Sequence, residues 1–216
     1  MTYALEARSF TLTYPGAEKP VFPPLDFAIE AGETVALRGE SGAGKSSLLL
    51  YACGLIPGSV EAELAGEILL FGRPPGEFSR AEQARAVGMV FQNPETQLFC
   101  GTVALEVAFG LENLCVPQDE MHPRVREALE AVGLWERRGD SPSVLSGGQK
   151  QLLALAAVLA LRPKLLLLDE ALSQLDGQAA GHMMEVLRLL RNEGQTMLFV
   201  DHDSERCAFA DREIWL

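Results

Sequence analysis

Two short stretches combine residue types and spacings that suit phosphate chemistry. "GESGAGKS", Gly39 to Ser46, completes the order G-x-x-x-x-G-K-[ST] between the strand-like "TVALR" and a helix-like run. Its glycines let the backbone curl until successive N–H groups face phosphate oxygens. Lys45 then brings positive charge to the outer phosphates, and Ser46 offers a hydroxyl to magnesium. The second stretch, "LLLLDE", ends an apolar run on Asp169, placed to meet a hydrated magnesium ion, with Glu170 beside it. Glu170 can orient and polarise an attacking water, the positioning on which phosphoryl transfer mostly depends. Alone, an Asp-Glu pair reads as a helix cap. With the glycine loop upstream, hydrolysis of a nucleoside triphosphate is the leading chemistry.

A third stretch is "LSGGQKQLLALAAVLA", Leu145 to Ala160, in which a serine, two glycines and an amide precede a run with almost no polar face. Open backbone donors at a helix start attract an anion, and the helix dipole adds about 0.3 to 2 kcal/mol. The loop at Gly39 already wraps one triphosphate, so a second grip suggests a neighbour's nucleotide. On the residues alone, an ordinary capped core helix is an equal alternative.

These residues need strands and helices to position them. "YALEARSFTLTY" and "FAIEAGETVALRG" read as strands, the latter turning at Gly32; "KSSLLLYACGL" reads as a helix ending near Gly54, and "GEILLFG" as a short strand. From about Asn93 to Leu161 the pattern is mainly helical, with "TVALEVAFGLENL" amphipathic and "PRVREALEAVGL" placing Pro123 in a first turn. "LLLLD" and "MLFVD" are apolar strands separated by the helix-like "GHMMEVLRLLRNEG", and "DREIWL" ends the chain as a strand. Near-continuous apolar strands alternating with helices favour an α/β fold with a buried parallel sheet.

The chain has 216 residues, 48% of them hydrophobic, enough for one domain with an inserted lobe. A formal charge of -12 repels a phosphate backbone, so no nucleic-acid partner is expected. The four cysteines show neither C-x-x-C pairing nor ligand-like spacing with the histidines, and read as free thiols of a reducing cytosol. The N-terminus lacks the basic-then-apolar order of a signal peptide. Leu152 to Leu161, the longest apolar stretch, falls short of the roughly 18 to 20 residues a bilayer span requires.

With "LSGGQ" lying between the glycine loop and "LLLLDE", the chain resembles the ATP-binding cassette (ABC) family from Tyr14 to His202. The resemblance implies a P-loop NTPase (RecA-like) core with a parallel sheet, an N-terminal antiparallel β subdomain and a helical subdomain inserted at about 93–161, all within a single ABC ATPase domain, 1–216. It implies ATP and Mg2+ as cofactors. ATP would be bound by Tyr14 and by Gly39, Glu40, Ser41, Gly42, Ala43, Gly44, Lys45, Ser46 and Ser47. In that family two subunits dock head to tail, and the signature of one closes over ATP held by the other. Leu145, Ser146, Gly147, Gly148 and Gln149 would then serve the opposite subunit's ATP.

Tyr14 resembles the aromatic that stacks on adenine, and Gln92 in "VFQNP" the glutamine that reaches metal and water. His202 in "VDHD" matches the histidine that touches the γ-phosphate, and Asp176 in "SQLD" the loop that contacts the opposite subunit. The implied catalytic set is Glu170, His202 and Gln92; the implied metal set is Ser46, Gln92 and Asp169.

"FQNPETQLF", Phe91 to Phe99, is similar to the corresponding loop of energy-coupling-factor (ECF) transporter ATPases, which drive uptake of vitamins or of nickel and cobalt ions. That likeness implies a peripheral subunit on the cytoplasmic face of the membrane. Its partners would be a second ATPase subunit, identical or related, and a transmembrane transporter subunit docked on the Gln92 loop, with exposed Leu98 and Phe99 as an apolar socket. The sequence departs from the pattern at Leu152, where an arginine is common, and at Ala171-Leu172, where Pro-Thr is usual. It also ends at Leu216, whereas many ECF ATPases continue into an extension that holds the dimer, so weak dimerisation is expected without ATP or membrane partners. Two alternatives are less well served. An ABC-type ATPase acting on DNA or ribosomes would call for a coiled-coil insertion, tandem cassettes or a basic surface. For a P-loop kinase, Ser146 to Gln149 would be superfluous.

Overall fold

The computed structural model describes residues 3–216. Among these residues, eight strands and seven α-helices follow in the order β1 (Tyr3–Thr13), β2 (Leu25–Glu30), β3 (Thr34–Arg38), α1 (Lys45–Ala52), β4 (Glu63–Leu70), α2 (Arg80–Ala86), β5 (Val87–Val90), α3 (Val103–Asn113), α4 (Gln118–Ala131), α5 (Gly147–Ala160), β6 (Leu165–Asp169), α6 (Gly177–Asn192), β7 (Thr196–Val200), α7 (Ser204–Cys207) and β8 (Arg212–Trp215). β2, β1 and β4 form an antiparallel sheet. The second sheet, in the order β5-β6-β7-β3-β8, is parallel throughout.

The parallel sheet separates two cores, because successive side chains of a strand point to opposite faces. Leu166, Leu168, Met197, Phe199 and Ala36 enter a core shared with α3, α4, α5 and α6. Their neighbours Leu165, Leu167, Leu198, Val200, Val35 and Leu37 enter the other, shared with α1 and the antiparallel sheet. Burial on both faces explains why "LLLLD" and "TMLFV" read as unbroken apolar runs. With both faces consumed by packing, polar groups can collect only at the strand ends. Since β3, β7 and β6 are adjacent and parallel, their carboxyl ends lie together.

The expected α/β architecture is therefore present, with differences in detail. α4 begins at Gln118 behind Pro117, so Pro123 lies inside the helix rather than in its first turn. The start is poorly marked because Pro117 offers no side-chain cap; only Asp119 and Glu120 in the first turn signal it. α6 begins at Gly177, ahead of "GHMMEV", where the Asp176 carboxylate accepts from the N–H of Ala179 at 2.8 Å. α2 and β5 carry no clear periodicity, β5 being only four residues long and interrupted by Gly88. Among the described residues, no helix is long and apolar enough to cross a membrane.

Gly88 marks where β5 meets the end of α5. A Cβ there would stand 2.4 Å from Val158 Cγ1 and 2.8 Å from Pro163 Cγ. Gly88→Ala is expected to destabilise the protein by about 1–3 kcal/mol through overpacking, read as a lower Tm. Val158→Ala added to it should recover part of that loss; an unchanged Tm in the single variant would refute the close approach.

Candidate active site

The glycine loop joins β3 to α1 and leaves the helix start open. Gly44, at φ 92°, occupies the N-cap without any side-chain cap, so the first-turn N–H groups of Lys45, Ser46 and Ser47 have no side-chain acceptor. Only Gly could stand there, because a Cβ would lie 2.4 Å from Val21 Cγ1. Lys45 is 6% exposed, and its ammonium curls across its own loop, donating to the carbonyls of Gly39 (3.0 Å) and Glu40 (2.8 Å). Glu40, Ser41 and Gly42 line the exposed rim, with Ala43 half-buried behind them. A buried cation that, among the described residues, hydrogen-bonds to neutral carbonyls alone is poised for an anion.

Ser46 donates from Oγ to Asp169 Oδ1 at 3.0 Å, fastening α1 to the end of β6. Burial pushes the Asp169 carboxyl above its ordinary range; the Ser46 bond and the Lys45 charge oppose this, and the Glu170 charge adds to it. Among the described residues, no cluster of three or more His, Cys, Asp or Glu side chains could hold a metal unaided. A hydroxyl and one buried carboxylate nonetheless fit Mg2+, a hard cation that takes one or two protein oxygens and completes its shell with phosphate and water.

Glu170 follows β6 in a left-handed turn, at φ 49°. For a non-glycine residue this costs about 1–3 kcal/mol and persists only where neighbours over-determine it. Its N–H donates to the carbonyl of Val200 (3.1 Å), and its own carbonyl accepts from Ser173 N (3.0 Å) and Oγ (2.8 Å). The resulting carboxylate lies between two partners: Gln92 donates from Nε2 to Oε2 at 2.9 Å, and His202 Nε2 stands 3.0 Å from Oε1. The structure thus unites Gln92, Glu170 and His202, from the ends of β5, β6 and β7, beside Ser46 and Asp169. Tyr14 lies against the start of α1, its hydroxyl donating to Ser47 Oγ at 2.9 Å.

Two amides that the sequence did not single out hold the Gln92 loop. Gln97 accepts from Phe91 N (2.9 Å) and donates to the Met89 carbonyl (3.0 Å), while Gln151, 2% exposed in α5, donates to the Phe91 carbonyl (2.7 Å). An amide inside the apolar run after Ser146 was the available signal for Gln151. Beyond the loop, Phe99 is 66% exposed and meets Phe109 edge-on, centroids 4.7 Å apart. Leu98, expected to be exposed beside it, instead packs half-buried on the helical core, because the turn at Pro94–Thr96 folds the chain back.

The "LSGGQ" residues lie elsewhere. Ser146 caps α5: its Oγ accepts from Gln149 N (3.3 Å), and Gln149 Oε1 accepts from Ser146 N (3.1 Å) and from Arg137 Nη1 (2.8 Å). Leu145 is buried, Gly147 is exposed with open space around it, and Gly148 packs against α6, where a Cβ would stand 2.5 Å from Ala179 Cβ. A pocket of about 290 Å³ holds Ser146, Gln149 and Asp176 together. Ser146 is therefore a helix cap, while the exposed first-turn amide of Gly147 keeps its donor open. Among the described residues, no hydrogen bond links this end to the Gly39 loop.

Residues 22–173 match the ABC transporter family. The chain is 41% identical over 203 residues to the energy-coupling factor transporter ATP-binding protein EcfA1 of Levilactobacillus brevis, covering 94% of this chain and 71% of that one. Among solved structures it is similar to cbiO1 of Clostridium perfringens, described as part of the ABC transporter complex cbiONQ. The TM-score is 0.85 at 30% identity, covering 100% of this chain and 85% of the other. It is also similar to a dimeric ATP-binding cassette in a post-hydrolysis state bound to ADP and Pi, with a TM-score of 0.84 at 26% identity, covering 98% and 94%. The chain spans 33% to 72% of the length of several curated relatives that it matches.

The buried Asp169 charge gives a pH-dependent test on the ligand-free protein. A carboxyl whose pKa is raised on folding destabilises the folded state fully above its folded value, and ceases to do so below its unfolded value. Asp169→Asn is therefore expected to raise Tm near neutral pH, with the gain shrinking as pH falls toward about 4. A lower Tm at neutral pH would show that the carboxylate is compensated without a cation.

Proposed function

The chain belongs to the ABC transporter family of ATP-binding proteins, whose members are ATPases, and on that premise we propose that it is the ATP-hydrolysing subunit of a membrane importer. The type is energy-coupling factor, and the cargo is a vitamin or a nickel or cobalt ion. The observation that carries the catalytic part is the Glu170 carboxylate held between Gln92 and His202 beside an open phosphate loop.

In this reading Tyr14 packs on the adenine, and Gly39 to Ser47 hold the phosphates through backbone amides and the Lys45 ammonium. Ser46, Asp169 and Gln92 would hold Mg2+, which would supply charge neutralisation on the phosphate oxygens. Glu170 orients the attacking water and takes its proton, and His202 donates to the γ-phosphate. Ser146 and Gly147 of a second subunit, identical or related, close over the same phosphates with the Asp176 loop alongside. The separation of these residues from the Gly39 loop supports a site completed by two chains, as does the dimeric cassette of the similar solved structure.

Coupling would run through the Gln92 loop. Phe99, Leu105, Phe109 and Val144 are exposed large apolar side chains. Phe99 and Phe109 form an aromatic pair to which an amphipathic helix of a transmembrane subunit can dock. The subunit would then sit peripherally on the cytoplasmic face of the membrane. The importer type is supported by the names of two similar proteins, one an energy-coupling factor ATPase and one a component of cbiONQ.

Glu170→Gln is expected to lower turnover by about 10²–10⁴-fold, to leave ATP binding intact and to accumulate an ATP-held dimer on size exclusion. Near-normal phosphate release would refute the assigned role. Replacement of Ser146 by Arg should leave single-chain ATP affinity within about twofold while abolishing that dimer, since the loss falls on a surface used only after closure. A dimer that survives Ser146→Arg would overturn the two-chain site.

A further inference from the structure

Asp201 is a buried carboxylate that the mechanism above does not use. It follows β7 immediately before His202, and is 3% exposed. Its Oδ1 accepts from Asp203 N at 2.8 Å, closing a tight turn with His202 at the tip. Its Oδ2 makes no aligned hydrogen bond, but stands 2.9 Å from Arg206 Nε on α7. The guanidinium reaches further: Arg206 Nη1 donates to the carbonyl of Leu172 at 3.2 Å. Leu172 is itself buried, two residues beyond Glu170.

Stability alone is a poor reason for this arrangement, because burying an ion pair costs more desolvation than imperfect geometry returns. What the pair does is connect. His202 and Glu170 arrive on different strands, β7 and β6, and their 3.0 Å contact is partly exposed. Glu170 also holds a strained left-handed backbone, which neighbouring groups must keep in place. A planar guanidinium can serve a carboxylate and a carbonyl at the same time, which a single ammonium cannot do with comparable direction.

We propose that Arg206, anchored on Asp201, is a positioning residue that braces the Glu170 turn against the His202 loop and so sets the spacing of the two side chains flanking the reacting phosphate. The proposal rests on the roles given above to Glu170 and His202. It extends the site to a pair, Asp201 and Arg206, that meets the Glu170 turn at the Leu172 carbonyl and the His202 turn at Asp203 N.

The test compares Arg206→Gln, Arg206→Lys, Asp201→Asn, the double variant Asp201→Asn/Arg206→Gln, and Glu170→Gln, each measured for kcat, KM for ATP and Tm on the full chain. Arg206→Gln strands the buried carboxylate, so Tm and kcat both fall. The double variant removes that stranded charge and should regain wild-type Tm. Its kcat is expected to stay about tenfold or more below wild type with KM within about twofold, because the Leu172 carbonyl remains unheld. Arg206→Lys should keep Tm while losing kcat. A kcat that follows Tm across the series, or wild-type kcat in the double variant, overturns the brace. Inactive Glu170→Gln with a fully active double variant overturns the brace alone, whereas active Glu170→Gln overturns the reading of the site on which it rests.

Discussion

Ser46 and Asp169 are 123 residues apart in the chain and 3.0 Å apart in the structure. The bond between them fixes the start of α1 against the end of β6. It ties the glycine loop directly to the strand that presents Asp169 and Glu170. It forms because β3 and β6 both lie in one parallel sheet, flanking β7, whose faces are filled by two cores. Every polar group of those strands that does chemistry has been displaced to their carboxyl ends. The site is thus a consequence of how completely the strands are buried.

The same crowding makes the site costly to fold. Lys45, Asp169 and Asp201 are charged groups with little exposure, and Glu170 sits in a backbone region that L-residues avoid. None of this improves a core. Lys45 faces carbonyls that an anion can outbid, and Asp169 is a carboxylate pushed toward protonation until a cation arrives. The folded chain therefore holds its charges ready for a ligand that supplies the missing opposites, which is the preorganisation that phosphoryl transfer requires.

How much of this could be read beforehand varied with the range of the interaction. The phosphate loop and the strand before Glu170 were legible because each is a local pattern, a glycine spacing in one case and an unbroken apolar run in the other. β5 escaped notice because four residues with a glycine among them show no period, and the reason for that glycine, contact with Val158 and Pro163, lies far along the chain. Pro123 misled because proline favours a first turn, while here the helix starts earlier behind an uncapped Pro117. Gln97, Gln151 and Arg206 each reach a backbone carbonyl from a side chain, and a carbonyl leaves no mark on sequence. Ser146 was ambiguous between cap and anion grip, and the structure explains why: the hydroxyl is committed to the cap while the amide of the next residue is not.

That division of labour at Ser146 has a mechanical consequence. Gln149 secures the start of α5, and Gln151, two residues later on the same helix, holds the Phe91 carbonyl just before Gln92. Lys150 between them pairs with Glu95 at 2.6 Å, on the far side of the same loop. The first turn and a half of α5 therefore grips both the exposed anion-ready end and the segment that reaches Glu170. A helix interior without Pro does not bend readily there. If Gly147 meets a nucleotide as proposed, α5 is the element through which a displacement there would reach the Gln92 loop. The two surfaces are joined by side chains of one helix, Gln151 to the Phe91 carbonyl and Lys150 to Glu95.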